Sequence, residues 1–202
     1  MSVLCHTLAA FLLVVCTANW SSAADAPILK CPSPDKRLAL KLTPPKGGDS
    51  FEYRAELVEQ ASGEFLLDLG TAYPKHLQET VLVWSAKSNW VAYATRGDKE
   101  GDVNVYFWNG AVFEEVQLPS DLPRPVLQYR HGAGANVKNY GGAVTPLRWL
   151  RSGDLELSSD VMMLSRVDNH AYTGVVKFTL HFDKQHHATV NSVGKTKMQV
   201  DD

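Results

Sequence analysis

Cysteine is nearly absent from this 202-residue chain, and its scarcity excludes a disulfide framework. Two of the three cysteines, Cys5 and Cys16, lie in an N-terminal apolar stretch that reads as a leader, which leaves Cys31 alone. Stability must then come from buried apolar surface, and the Cys31 thiol is either packed as a small hydrophobe or available for an intermolecular bridge. Charge of one sign is missing too: 20 Lys and Arg against 22 Asp and Glu give a net charge of −2 with no basic stripe, which argues against nucleic acid as a partner. The longest apolar run, LAAFLLVVCTA from Leu8 to Ala18, is about half of the roughly 20 residues that a membrane-crossing helix needs. Catalytic signatures are lacking as well, with no G-x-S-x-G, H-E-x-x-H or C-x-x-C. Ser33-Pro34-Asp35-Lys36 has S-x-x-K spacing, but Pro34 sets a turn where that chemistry needs a helix. Gly194-Lys195-Thr196 ends like a phosphate loop, but Thr189 stands where the first glycine of that loop belongs.

What is present begins with the leader. The apolar run is followed by a small polar stretch in which Ser22 and Ala24 precede Asp25 at the spacing of a signal-peptidase site, although no Lys or Arg precedes the run. Residues 1–24 are therefore expected to be a signal peptide, and the mature chain to be exported to the periplasm or the extracellular space with no permanent membrane span. The remaining 178 or so residues suit one domain with a real core. We expect a single β domain over 25–197 and a loose tail over 198–202.

Strand signals dominate that domain. Val103 to Trp108 and Ala111 to Leu118 flank Asn109-Gly110, a dipeptide suited to a type I′ hairpin, with Val112, Val116 and Leu118 expected on one face. A second hairpin is expected where YRAELVE and FLLDL flank residues 60–64. In a third, Val176, Phe178, Leu180 and Phe182 alternate with polar residues before the chain returns through Ala188 to Val193. No capped 3.6-residue periodicity is sustained, so long helices are excluded. A single short helix has its best place within 134–144.

Three related segments recur: CPSPDKRLAL from Cys31, VWSAKSNWVAY from Val83, and RWLRSGDLEL from Arg148. Each is a tight turn feeding a strand, with Pro34 presetting φ and Asp35, Ser88, Asn89 and Asp154 able to cap the turn. The offsets are 52 residues from Ser33 to Ser85 and 65 from Trp84 to Trp149. These segments resemble the W-S-P-D-G-K-W-L-A-Y-like element of bacterial β-propellers of the Tol-system and WD-repeat kind, though the first copy lacks the Trp and the third is shortened. The resemblance implies a mostly β, partial β-propeller-like stack of antiparallel sheets with about three repeat units, since the chain is too short for a complete ring. The whole is also similar to small secreted bacterial proteins of uncharacterised function, which implies export and no particular activity.

For a site, residues 128–142 combine Tyr129, Arg130, His131, Lys138, Asn139 and Tyr140 with four glycines, mixing flexible backbone with aromatic and donor groups as binding loops do. The alternative for this segment is an insertion between the second and third repeats. Asp98, Glu100, Asp102 and Asn104 alternate but do not match a calcium loop, and His181, His186 and His187 lack the companions of a metal centre. No cofactor or metal is expected. The expected role is non-catalytic binding, with a protein partner or a second copy; the alternatives are a small envelope hydrolase with His131 as base, and a purely structural envelope protein. An incomplete propeller is expected to leave sheet faces and edges uncovered.

Overall fold

The computed structural model describes residues 26–46, 51–97, 99–130 and 132–201; the leader, Asp98 and His131 lie outside the described residues. The protein is mostly β, built of antiparallel sheets, with no α-helix among the described residues. Three antiparallel meanders follow one another. The first comprises β1 (Ile28–Lys30), β2 (Leu38–Thr43), β3 (Tyr53–Glu59) and β4 (Phe65–Ala72), paired in sequence order. The second comprises β5 (Val81–Trp84), β6 (Trp90–Arg96), β7 (Glu100–Trp108) and β8 (Phe113–Val116). The third runs through β9 (Val137–Trp149), β10 (Leu155–Ser165), β11 (Ala171–Phe182), β12 (Ala188–Val193) and β13 (Lys197–Asp201). Strand β7 also pairs in parallel with β9 at Glu100–Gly142 and Gly101–Ala143, which joins the second and third meanders in one nine-stranded sheet.

Period-2 patterning turns one face of each meander toward its neighbour. Leu40, Leu42, Ala55, Leu57 and Leu69 of the first meander pack with Val91, Tyr93 and Phe113 of the second. Ala92, Ala94, Val103 and Val105 on the opposite side of the second meander pack with Leu155, Leu157, Phe178 and Leu180 of the third. The second meander is thus buried on both faces.

The three turns that open the meanders share a backbone form. Ser33 N–H donates to the Leu38 carbonyl at 2.8 Å, Ser85 N–H to Trp90 at 2.9 Å, and Leu150 N–H to Asp154 at 2.8 Å. Lys36, Ser88 and Gly153, spaced at the same offsets, have φ of 59°, 58° and 92°. The Trp84 indole N–H donates across to the Cys31 carbonyl and the Trp149 indole N–H to the Val83 carbonyl, each at 3.0 Å. Cys31 and Val83 occupy matching places, so each Trp reaches back by the same step to the preceding meander. Trp149→Phe keeps the ring and removes the donor, and is expected to lower stability by about 1 kcal/mol in urea unfolding. An unchanged midpoint would show that the bond contributes nothing.

Four expectations need correction. The β7–β8 turn has Asn109 as its first residue and positive φ only at Gly110, the pattern of a type II′ turn, because the Asn109 side chain accepts from the N–H groups of Ala111 and Val112. Phe113 is buried in the core between the first and second meanders and Val116 in that between the second and third, while Val112 is exposed. Within 134–144 the helical piece is only the end of a 3-10 turn at Ala133–Ala135, and β9 takes the rest. The tail expected to be loose from Met198 onward is β13, paired with β11 from Val175–Lys197 to Ala171–Asp201. It continues the edge left by β12, which pairs only with the second half of β11.

Candidate functional site

Among the residues singled out in the sequence, Tyr129 and Arg130 are drawn onto the β10–β11 hairpin. The Tyr129 ring lies 4.9 Å from that of Tyr172, and Arg130 N–H donates to the Tyr172 hydroxyl at 3.2 Å. Tyr172 in turn donates to Asp168 at 2.7 Å, and the Arg130 guanidinium meets His170 at 3.1 Å. Burial pushes the Tyr172 phenol up, and the neighbouring Asp168 carboxylate pushes it further. The Tyr172 hydroxyl is the main influence holding Asp168 below its ordinary value. Lys138, Asn139 and Tyr140 stand apart from this group, exposed at the start of β9, where the Lys138 ammonium lies 5.2 Å from the Tyr140 ring centre. Asn139 accepts the Gly141 N–H at 2.8 Å. His131 is outside the described residues.

The strand connections place a different group of residues at the opposite end. Each meander brings its opening turn beside its outer hairpin: Gln60 N–H donates to Arg37 at 2.7 Å and Trp108 N–H to Asn89 at 2.8 Å. The β11–β12 turn, residues 183–187, lies at this end too, because β11 runs antiparallel to β10 and ends beside the 150–154 turn, with Leu180 opposite Leu155. Two clefts open here between the meanders. A cleft of about 240 Å³ between the first and second is lined by Arg37, Leu66, Lys87, Asn89, Trp108 and Phe113 among others. A second of about 500 Å³ between the second and third has Lys87, Asn89, Trp90, Trp149, Leu150 and Arg151 in its wall. The turn carrying Lys87 and Asn89 is the ridge between them.

Under the second cleft sits an aromatic cluster. Trp90 has ring contacts with Phe107 at 4.8 Å, Phe182 at 4.8 Å, Trp149 at 5.7 Å and His186 at 5.3 Å. His186 reaches this position from a backbone with φ of 63°. Three acidic residues of this end are held by nearby partners, Asp154 buried and Asp35 and Asp183 exposed. Asp35 accepts from Ser33 at 2.6 Å and pairs with Arg37 at 2.8 Å, and chiefly through the Ser33 hydroxyl its carboxyl is held down to about 2. Asp154 is buried and bonded to His181 at 2.8 Å, Ser152 at 3.0 Å and Asn191 at 3.2 Å. Asp183 meets His187 at 3.2 Å.

Burial alone pushes the Asp154 carboxyl up, but His181, Ser152 and Asn191 together outweigh it and hold the carboxyl below its ordinary 3.8. A group whose folded value is depressed stabilises the fold fully above its unfolded value and loses that contribution as pH falls through the folded one. Asp154→Asn is therefore expected to cost about 2 kcal/mol at neutral pH, a gap that narrows below pH 3.8. Urea titrations of both proteins down the acid range measure it, and a gap that stays constant would exclude the carboxylate as its source.

Sequence reasoning did not find the two clefts, although it found the turns that build them. Each cleft wall combines side chains from two meanders, and what places them opposite one another is sheet stacking. Among the described residues no cluster of three His, Cys, Asp or Glu side chains is arranged to hold a metal ion: Glu100, Asp102 and Asn104 are spread along β7. No helix among the described residues is long and apolar enough to cross a membrane.

The outward faces of the stack are polar. On the first meander Arg54 meets Glu56 at 3.2 Å and Asp68 at 3.3 Å, beside Lys41. On the third, Arg148 pairs with Glu156 at 2.8 Å and Thr179 with Ser192 at 2.8 Å. Charge and hydroxyl groups thus stand on the sheet faces that an incomplete propeller was expected to leave uncovered.

No protein family matches the chain, and no curated protein matches it. Among solved structures it is similar to the crystal structure of TolB from Acinetobacter baumannii, with 6% identity and a TM-score of 0.35 over 89% of this chain and 44% of that one.

Proposed function

We propose that this protein is an exported, non-catalytic β module that binds another protein at the end of the stack where the opening turns and outer hairpins meet. The observation that carries the reading is the continuity of the two clefts: both are walled by Lys87 and Asn89, so they form one surface crossing all three meanders. A surface of that extent suits a polypeptide better than a compact metabolite, with aromatic walls for anchoring and polar rims for orientation. In this reading the three meanders are degenerate propeller-like repeats, supported by their matching turns and Trp bonds. The polar outward faces then act as caps, as in other stacked-repeat proteins, and direct association to the cleft end. Export is supported by the leader-like residues 1–24. The exposed Lys138, Asn139 and Tyr140 at the opposite end, beside the loop anchored by Tyr129 and Arg130, are a second proposed contact surface. A hydrolase using His131 rests on sequence alone.

The test is site-directed photo-crosslinking in the cell that makes the protein. A crosslinker at the exposed Ala86, in the wall of the second cleft, should give one discrete adduct that excess unlabelled protein suppresses. The same group at Lys41 or Lys177 on the outward faces should give none. Equal labelling from all three positions, or no adduct from Ala86, would reject the assignment.

A further inference from the structure

Resting on that reading, we infer that the second cleft takes an acidic segment of the partner: a carboxylate-bearing stretch of polypeptide with an aliphatic side chain between its acids. The argument starts from charge. Lys87 and Arg151 are the only charged side chains in the wall of this cleft, one on each rim. Both are exposed, and neither forms an ion pair among the described residues.

The acids that would neutralise them are committed elsewhere. Asp154, two residues beyond Ser152 in the same turn, is buried and faces His181, Ser152 and Asn191. Asp183 accepts two backbone N–H groups, from Gln185 and His187, at 2.8 and 2.9 Å. Asp35 is held by Ser33 and Arg37. These carboxylates are thus engaged by groups of their own or neighbouring turns, while the rim of the larger cleft carries two cations with no ion pair among the described residues. The first cleft differs, because Glu59 and Glu64 stand in its wall with Arg37 and Lys87, whereas no acid lines the second.

The wall supplies the second half of the specificity. Trp90, Trp149 and Leu150 are apolar, and the Trp149 indole N–H is already spent on the Val83 carbonyl, so this ring offers a face and no donor. A volume of about 500 Å³ accommodates a short stretch of chain with one aliphatic side chain. Two cations flanking an apolar wall match an acid-aliphatic-acid order, with the side chain seated on the indoles and a carboxylate at each rim. Arg151 can hold a carboxylate through two parallel N–H bonds, while Lys87 acts as a point charge.

The test uses two synthetic probes, acetyl-Asp-Leu-Asp-amide and its neutral counterpart acetyl-Asn-Leu-Asn-amide, titrated against the full mature protein while tryptophan emission is followed. The acidic probe should saturate with a Kd of about 1 mM or tighter and weaken with added salt; the neutral probe should bind at least about tenfold more weakly. Lys87→Glu with Arg151→Glu should abolish saturation, Lys87→Gln with Arg151→Gln should weaken it, and Lys177→Glu on the outward face should leave it unchanged. Equal binding of both probes, unchanged binding by the doubly charge-reversed protein, or no saturation by the acidic probe would each overturn the inference. The Ala86 adduct does not depend on peptide charge, so its persistence in that event would show that only the acidic class is wrong.

Discussion

Gly141→Ala is expected to be the most damaging small substitution in the protein, costing on the order of 4 kcal/mol and leaving little folded material at ordinary temperature. Gly141 has φ of 128°, a conformation in which a side chain is strained, and a Cβ placed there would collide with the Lys99 carbonyl oxygen. That carbonyl cannot give way freely, because it accepts the Gly142 N–H at 2.8 Å and so holds the parallel join between β7 and β9. Next to it a Cβ on Gly142 would strike the Asp160 carbonyl oxygen, while the Asp160 side chain accepts the Ala143 N–H at 2.7 Å. Backbone meets backbone on both sides, leaving no flexible side chain to absorb the methyl. Gly63→Ala is the control: its φ is 74°, but nothing lies within 4 Å of the added carbon, so the cost should be about 1 kcal/mol from conformation alone. Urea unfolding of the two variants side by side measures the difference. Equal losses would show that the close approach at the join is not what holds the second and third meanders together.

Trp90→Ala is expected to cost about 3–5 kcal/mol. Its ring touches Phe107 of its own meander and Trp149, Phe182 and His186 of the next, so its loss opens a cavity between two meanders. The separate aromatic pairs contribute beyond buried area, which puts this site above an average core position. The His186 contact adds a check, because that residue reaches the rings from an unfavourable φ of 63°. In the wild type, His186→Gly should lose ring contacts with Trp90 and Phe107 but relieve the backbone, a near balance. In Trp90→Ala background part of the contact is already gone, and the same change should become stabilising. A double-mutant cycle that shows no coupling between the two positions would remove His186 from the cluster.

The β composition was legible locally. Alternation in residues such as Val176, Phe178, Leu180 and Phe182 reports a half-buried strand without reference to anything distant, and β11 has that pattern, with its apolar members buried or nearly so. The turn residues were legible for the same reason: a serine or aspartate oxygen that caps its own turn needs only neighbours two to five residues away, as Ser33 does with Leu38 at 3.0 Å. The errors arose where local signals compete. Asn109-Gly110 permits more than one turn type, and with positive φ only at Gly110 the strand after it buries Phe113 in the core between the first and second meanders and Val116 in that between the second and third, leaving Val112 exposed. The last residues lack a strong pattern, and only an unpaired half of β11 gives them a partner.

The candidate site was far less legible than the fold. Residues 128–142 stood out by composition, yet Tyr129 and Arg130 are tied to a neighbouring hairpin through Tyr172 while Lys138 and Tyr140 are exposed on β9, a division that depends on where Tyr172 lies. By itself the sequence determined strand alternation and capped turns, because these follow from interactions between near neighbours. Only the tertiary structure decided which turns face one another. Lys87 and Arg151 become two rims of one cleft because sheets stack at a spacing set by the buried side chains between them, and that spacing has no signature in the sequence near either residue.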